Sequence, residues 1–249
     1  MRLTSDVCLV GGGPTFGFGL TPGTDAHVYL LDGGDEAALV DCGMGSDASF
    51  DQLVRNVRGD GVDPDSVTRL FITHYHADHC AGASRYRHAL GLEVLTGHDT
   101  ADALEAADHR ATSYDASRAL GVYPADSSFP PCAVDTRLGD GDEVRVGRLS
   151  VTFVATPGHC AGHGSYVVSG GDRTYLLSGD ALFAGGRLLL QATRDCDLQR
   201  SFASVRTLAA LDVDSLLPGH GPVALTGGRD HARAALATID ALGVPASLV

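Results

Sequence analysis

The stretch VTRLFITHYHADH, residues 67–79, constrains this chain more than any other. Its first half is apolar and rich in β-branched and aromatic residues, the composition of a buried strand. Its second half sets His74, His76, Asp78 and His79 within six residues. Imidazole nitrogens and a carboxylate oxygen at that density are the donors a borderline-soft cation takes, and no loop needs them for folding. A strand that empties into a polar loop is also how an open α/β sheet delivers side chains to a site.

Three further donors stand in a similar setting. His159 in ATPGHCAGH, Asp180 in LLSGDALF and His220 in LLPGHGP each lie beyond an apolar run, directly after a glycine. A sheet edge presents a side chain in this way. Five histidines and two aspartates suffice for two metal ions.

The rest of the chain reads as strands, helix, strands and helix. DVCLV, HVYLLD and EAALVDCG are strands, with a hairpin at Gly33 and Gly34, and a helix is expected over Ser49–Arg58, where Phe50, Leu53, Val54 and Val57 share one face. After the histidine loop come a helix near Gly82–Leu90, a strand over Glu93–Leu95, and a polar helical insertion around 98–131 closed by prolines. A second strand series (EVRVG, LSVTFVAT, SYVVSG, RTYLLSGD) follows, then helices over Ser201–Leu211 and Arg229–Leu242 around a strand at Asp214–Leu217. This order predicts an α/β fold of one domain over 1–249, with two similar halves packed sheet on sheet and helices outside, a four-layer αββα sandwich.

Composition excludes several classes. The net charge is −13 and all 18 basic residues are arginine, so a Schiff-base, Walker-type or Ser-Lys lysine is ruled out and a nucleic-acid partner is not expected. No apolar run reaches the length of a membrane span, and the first residues lack the pattern of an export signal, which predicts a cytoplasmic protein with no membrane partner. The six cysteines form no CxxC pair and read as small buried hydrophobes rather than a disulfide framework. Cys80 and Cys160, each directly after a candidate histidine, are also candidates for the site lining.

Taken together, VYLLDGG, ALVDCG, THYHADH, TPGHCAGH, SGDALF and PGHG resemble the metallo-β-lactamase superfamily, in its glyoxalase II and lactonase branch, across nearly the whole chain. The resemblance implies the αββα fold, hydrolysis of a carboxylic or phosphoric derivative, and a ligand assignment. One metal falls to His74, His76 and His159, the other to Asp78, His79 and His220, and Asp180 bridges them. It also makes Asp41, in the VDCG turn, a group behind the ligands, and gives His163 a structural hydrogen-bonding role.

The expected cofactor is a pair of divalent ions, zinc first, with iron or manganese as alternatives. Such a pair lowers the pKa of a shared water towards ~7, so metal-bound hydroxide can attack the carbonyl of a thioester, lactone or related ester without a protein nucleophile. Asp78 is the candidate catalytic residue, either as a ligand alone or also orienting the hydroxide and accepting its proton. The alternative is a persulfide dioxygenase-like oxidoreductase with one iron, in which His79 and His220 would be idle.

Two departures from the family pattern bear on substrate. A glutathione-binding helical extension is not found, which counts against glutathione thioesters, and Phe183 stands where the lactonases carry a tyrosine. Phe183 and Arg187 remain candidate substrate contacts. Tyr114, Leu120, Val122, Tyr123 and Phe129 in the insertion would suit a partly apolar acyl group of a small-molecule substrate. His98 and His109 flank the insertion and are candidates for facing the pocket, and a homodimer is left open.

Overall fold

The computed structural model describes residues 1–248. Its strands form two sheets. The first runs in spatial order β1 (Val7–Gly11), β2 (Val28–Asp32), β3 (Ala37–Val40), β4 (Val67–Phe71), β5 (Glu93–Gly97), β6 (Thr136–Leu138). The second runs β11 (Ser215–Pro218), β10 (Tyr175–Gly179), β9 (Gly164–Ser169), β8 (Leu149–Ala155), β7 (Glu143–Val146). In the first sheet β1 to β3 are antiparallel and β3 to β6 parallel, while in the second only β10 and β11 run parallel.

The period-2 alternation of a strand places successive side chains on opposite faces, and here it builds three cores. Val7, Leu9, Tyr29, Leu31, Tyr175 and Leu177 point between the sheets and meet Phe153 and Tyr166 there. Their neighbours Cys8, Val10, Val28 and Leu30 face Leu53 and Val57 of α1 (Asp47–Gly59), Tyr86 of α3 (Ala83–Leu90) and Leu104 of α4 (His98–Ala106). On the far side Leu176 and Leu216 pack on Val205 and Leu208 of α6 (Leu198–Ala209) and on Ala235 and Ile239 of α7 (Gly228–Asp240). The layers are therefore helix, sheet, sheet, helix, as the alternation of strand and helix segments predicts.

Three details depart from the sequence reading. The two halves differ in size, because the short edge strand β6 completes the first sheet. The histidine loop contains a helical turn, α2 (Ala77–Cys80), whose N-cap is His76 in extended conformation. The insertion begins later than residue 98: Ala101 and Leu104 of α4 are fully buried, so α4 belongs to the outer helix layer. The excursion proper spans roughly 107–131 and carries α5 (Tyr114–Ala119). No helix among the described residues is long and apolar enough to cross a membrane.

Candidate metal centre

The local backbone explains how THYHADH can serve two groups of donors. On extended backbone, residues two apart lie on one side, so His74 and His76 point together, and His76 is still extended. The helical turn that starts at Ala77 then redirects Asp78 and His79. His159 arrives from the loop after β8, Asp180 directly after β10, and His220 two residues after β11, so both sheets deliver donors to one edge.

The ligand atoms converge in three overlapping sets, each within 4.8 Å: His74, His76 and His159; Asp78, His79 and His220; and His74, His79 and Asp180. The first two are the groups the resemblance assigns to separate metals. Asp180 reaches both, with Oδ1 3.4 Å from His79 Nε2 and Oδ2 3.6 Å from the Nε2 atoms of His159 and His220. His74 Nε2, His79 Nε2 and Asp180 Oδ1 are buried with no hydrogen-bond partner. Orphaned polar atoms of this kind are costly to bury, and a cation coordinated among them removes that cost. The residues present fit a pair of divalent ions.

Behind this cluster, second partners fix the tautomers of four of the five rings. His79 Nδ1 donates to Asp41 Oδ2 at 2.8 Å, and His74 Nδ1 to Thr73 Oγ1 at 3.1 Å, which in turn donates to Asp41. His159 Nδ1 donates to the Leu189 carbonyl at 3.3 Å. His76 is turned the other way: its Nε2 donates to Asp195 Oδ2 at 3.0 Å and its Nδ1 faces the cluster, 2.8 Å from His159 Nε2. A proton held on the outer nitrogen leaves the inner one as a lone-pair donor. Asp41 thus lies where the resemblance puts it, behind the ligands, and holds φ +62° to do so. His163 is not part of the cluster. Its Nε2 accepts from the Asp180 backbone N–H at 3.0 Å and its Nδ1 donates to Thr156 Oγ1, which fixes the turn that presents Asp180.

Glycine is required next to the cluster. A Cβ at Gly219 would lie 2.4 Å from Asp180 Oδ1 and 2.6 Å from His79 Cε1, so only the missing side chain lets β11 bring His220 alongside.

Electrostatics divides the cluster in the same way. Burial, followed by the neighbouring imidazoles, holds His74 well below the usual histidine range, and burial and His76 push His159 down to about 4. Burial also opposes charge on His79 and His220, but Asp180 and Asp78 outweigh it and raise both. Burial works against the Asp78 carboxylate too, yet His79 and His220 keep it well below the ordinary carboxylate value.

The cluster opens into a cleft of about 540 Å³. His76, Asp78, Asp180 and His220 form its floor, and Phe16, Leu120, Val122 and Tyr123 belong to its wall. Tyr114 and Phe129 do not line it; they are buried beneath, packed edge to face. The substrate-contact expectation for Phe183 and Arg187 is not met by the geometry. Phe183 is fully buried in a turn whose N–H donates to the Arg187 carbonyl, and the Arg187 guanidinium donates to the Ser247 carbonyl, so the pair ties down the C-terminal segment. Cys80 and Cys160 are fully buried and absent from the cleft wall, His98 is exposed, and His109 donates to the Phe129 carbonyl. Sequence reasoning missed Asp195 and Thr73: one lies in a polar loop without periodicity, the other is one residue from a ligand and gave no signal of its own.

The chain is similar to several known proteins in sequence and in fold. A hydroxyacylglutathione hydrolase of Cereibacter sphaeroides (strain ATCC 17025 / ATH 2.4.3) is 32% identical over 157 residues, 62% of this chain and 48% of that protein. One from Nitrobacter hamburgensis is 30% identical over 49% of this chain and 36% of its own length, so the chain spans half or less of these relatives. A subclass B3 metallo-beta-lactamase of Bradyrhizobium japonicum shares the fold with a TM-score of 0.72 at 21% identity, covering 97% of this chain and 91% of that one. A metallo-beta-lactamase family protein of Thermus thermophilus superposes with a TM-score of 0.71 at 25% identity, over 96% of this chain and 81% of that one. Residues 21–220, which hold all seven donors, match the family model described as the metallo-beta-lactamase superfamily, and the chain belongs to that superfamily.

Proposed function

We propose that this protein is a binuclear metal-dependent hydrolase of uncharged carbonyl substrates, lactones and thioesters or related esters with an aliphatic group. The observation that carries the reading is the convergence of seven donors, three of their atoms buried without a partner, at the floor of a cleft. A cation pair bound there, zinc in the first instance, supplies Lewis acidity and a hydroxide at neutral pH. The chain's own residues do the rest. Asp78 presents Oδ2 to the cluster, 3.1 Å from His220 Nε2, at the floor of the cleft, where it can orient the attacking water and hold its proton. Leu120 and Val122, exposed at the rim, and the buried Leu189 give the cleft an apolar wall on which an aliphatic group can rest.

The same walls support the substrate class. Among the described residues no arginine lines the cleft, although the chain has 18, and Asp25 adds a carboxylate to its wall. The tripeptide of a glutathione thioester carries carboxylates that would meet no cationic side chain there, whereas an aliphatic lactone needs none. The assembled group of Asp78, His79 and His220 weighs against the one-iron oxidoreductase, in which His79 and His220 would have no task.

Hydrolysis of a panel of aliphatic lactones and thioesters beside a glutathione thioester tests the reading. Uncharged substrates are expected to lead in kcat/KM by about 10-fold or more. Preference for the glutathione thioester would overturn the substrate class, and oxygen uptake on a persulfide without any hydrolysis would overturn the hydrolase.

A further inference from the structure

The excursion of roughly 107–131 reaches the donor cluster by two routes, directly at Asp78 and through Asp195 at His76. Tyr123 Oη donates to Asp78 Oδ1 at 2.8 Å, and Ser113 Oγ donates to Asp195 Oδ1 at 3.1 Å while Asp195 Oδ2 holds His76 Nε2. Asp78 belongs to one three-donor group and His76 to the other. We propose that the segment from Ser113 to Tyr123 is an outer clamp on the metal centre, in which Tyr123 sets the affinity of the Asp78 site and Ser113 with Asp195 sets that of the His76 site. The inference rests on the binuclear reading above.

Each contact removes one degree of freedom from a ligand. With Oδ1 engaged by a phenol, Asp78 has one oxygen left for the cluster, Oδ2, which lies 3.1 Å from His220 Nε2 and 3.8 Å from His79 Nε2. The carboxylate is thereby held to one rotamer and one coordinating atom. Asp195 does the equivalent for His76: with the ring proton fixed on Nε2, only Nδ1 can coordinate. Asp195 is itself held by Ser113, a non-glycine residue in the left-handed region at φ +57°, a conformation that persists only where surrounding contacts enforce it. Its neighbours help to enforce it: Tyr114 is fully buried and stacks on Tyr123 at 5.9 Å.

The segment also carries Ser117, Leu120 and Val122 of the cleft wall. An aliphatic group pressed against Leu120 and Val122 therefore bears on the segment that positions the ligands. Tyr123, Ser113 and Asp195 act through Asp78 and His76, as positioning residues.

The test measures zinc affinity site by site in the full-length protein, by competition with chelators, together with the visible spectrum of the cobalt-substituted form. Tyr123→Phe keeps the ring and removes one oxygen; it is expected to weaken one of two metals by about 10–100-fold and leave the other within a few-fold. Asp195→Asn is expected to weaken the other metal by a similar factor, and Ser113→Ala to do so more mildly. Thermal unfolding of the metal-free variants separates positioning from folding, since a positioning role leaves that transition near the wild type. If Asp195→Asn fails to fold, Ser113→Ala and Tyr123→Phe still decide the question. Unchanged affinities in both, or equal loss at both sites in each, would overturn the clamp. A wild type that binds fewer than two metals would instead refute the binuclear reading, so the two failures are distinguishable.

Discussion

Asp41 Oδ2 lies 2.8 Å from His79 Nδ1, while Asp41 Oδ1 accepts the Thr73 backbone N–H at 2.8 Å. One carboxylate thus orients His79 directly and His74 through the Thr73 hydroxyl, and it reaches both from a left-handed backbone at φ +62°. Asparagine tolerates that conformation, so Asp41→Asn isolates the charge and the acceptor. The carboxamide N–H can donate to Nδ1, which would move the ring proton to Nε2, the atom that faces the cluster. Asp41→Asn is expected to lower zinc affinity and kcat by about 10–100-fold, read by chelator competition and turnover; wild-type values in both would contradict the role.

Gly219→Ala places a methyl 2.4 Å from Asp180 Oδ1 and 2.6 Å from His79 Cε1. Both atoms belong to the cluster, and neither side chain has free space into which to move: each is almost wholly buried. The variant is expected to keep its far-UV circular dichroism and to lose at least about 10-fold in metal affinity. Full zinc content at wild-type affinity would show that β11 can retreat without harm to the site.

Removal of the metals should destabilise the fold. A ligand present at 100 times its dissociation constant stabilises by about 2.7 kcal/mol per site, and in a chain of this size each kcal/mol moves Tm by about 2–4 °C. For two sites, scanning calorimetry after exhaustive chelation is expected to show a Tm lower by about 10–20 °C, recovered when zinc is restored. An unchanged Tm would mean that the buried cluster is stable without a cation.

Acid stability has a separate origin, far from the donors. Burial disfavours the Asp6 carboxylate, but the Arg148 guanidinium, the Asp172 N–H, Tyr175 and Ser5 outweigh it and hold its pKa below the ordinary value. Because the folded-state pKa is the lower one, this group contributes stability above the unfolded carboxylate range and loses it as pH falls through the folded value. Asp6→Asn is expected to cost about 1–3 kcal/mol at neutral pH and to flatten the acid limb of the stability curve. Denaturant midpoints at pH 7 and pH 3 check both; equal losses at the two values would contradict the linkage.

What the sequence made legible follows from how local each signal was. The apolar runs Val7–Gly11 and Tyr175–Gly179 are buried at every position, as strands covered on both faces are, and the order of such runs and helical segments along the chain made the four layers legible. The seven donors stood out because they fall at the ends of apolar runs, four of them within six residues and three directly after a glycine. Asp195 did not, and Tyr123 was legible as a pocket residue but not as the partner of Asp78, because these contacts exist only through chain segments 119 and 45 residues away. Phe183 and Arg187 misled for a related reason: proximity to Asp180 in sequence says nothing about a turn that folds back towards the C-terminal segment. The strand β6 was missed since it is three residues long and two of them are exposed, leaving no alternation to detect.

The most direct measurement of the central claim is metal content per chain in protein purified without added metal. The arrangement of His74, His76 and His159 beside Asp78, His79 and His220 predicts two divalent ions per chain, zinc in the first instance. A single iron per chain, unchanged when zinc is supplied in excess, would contradict it.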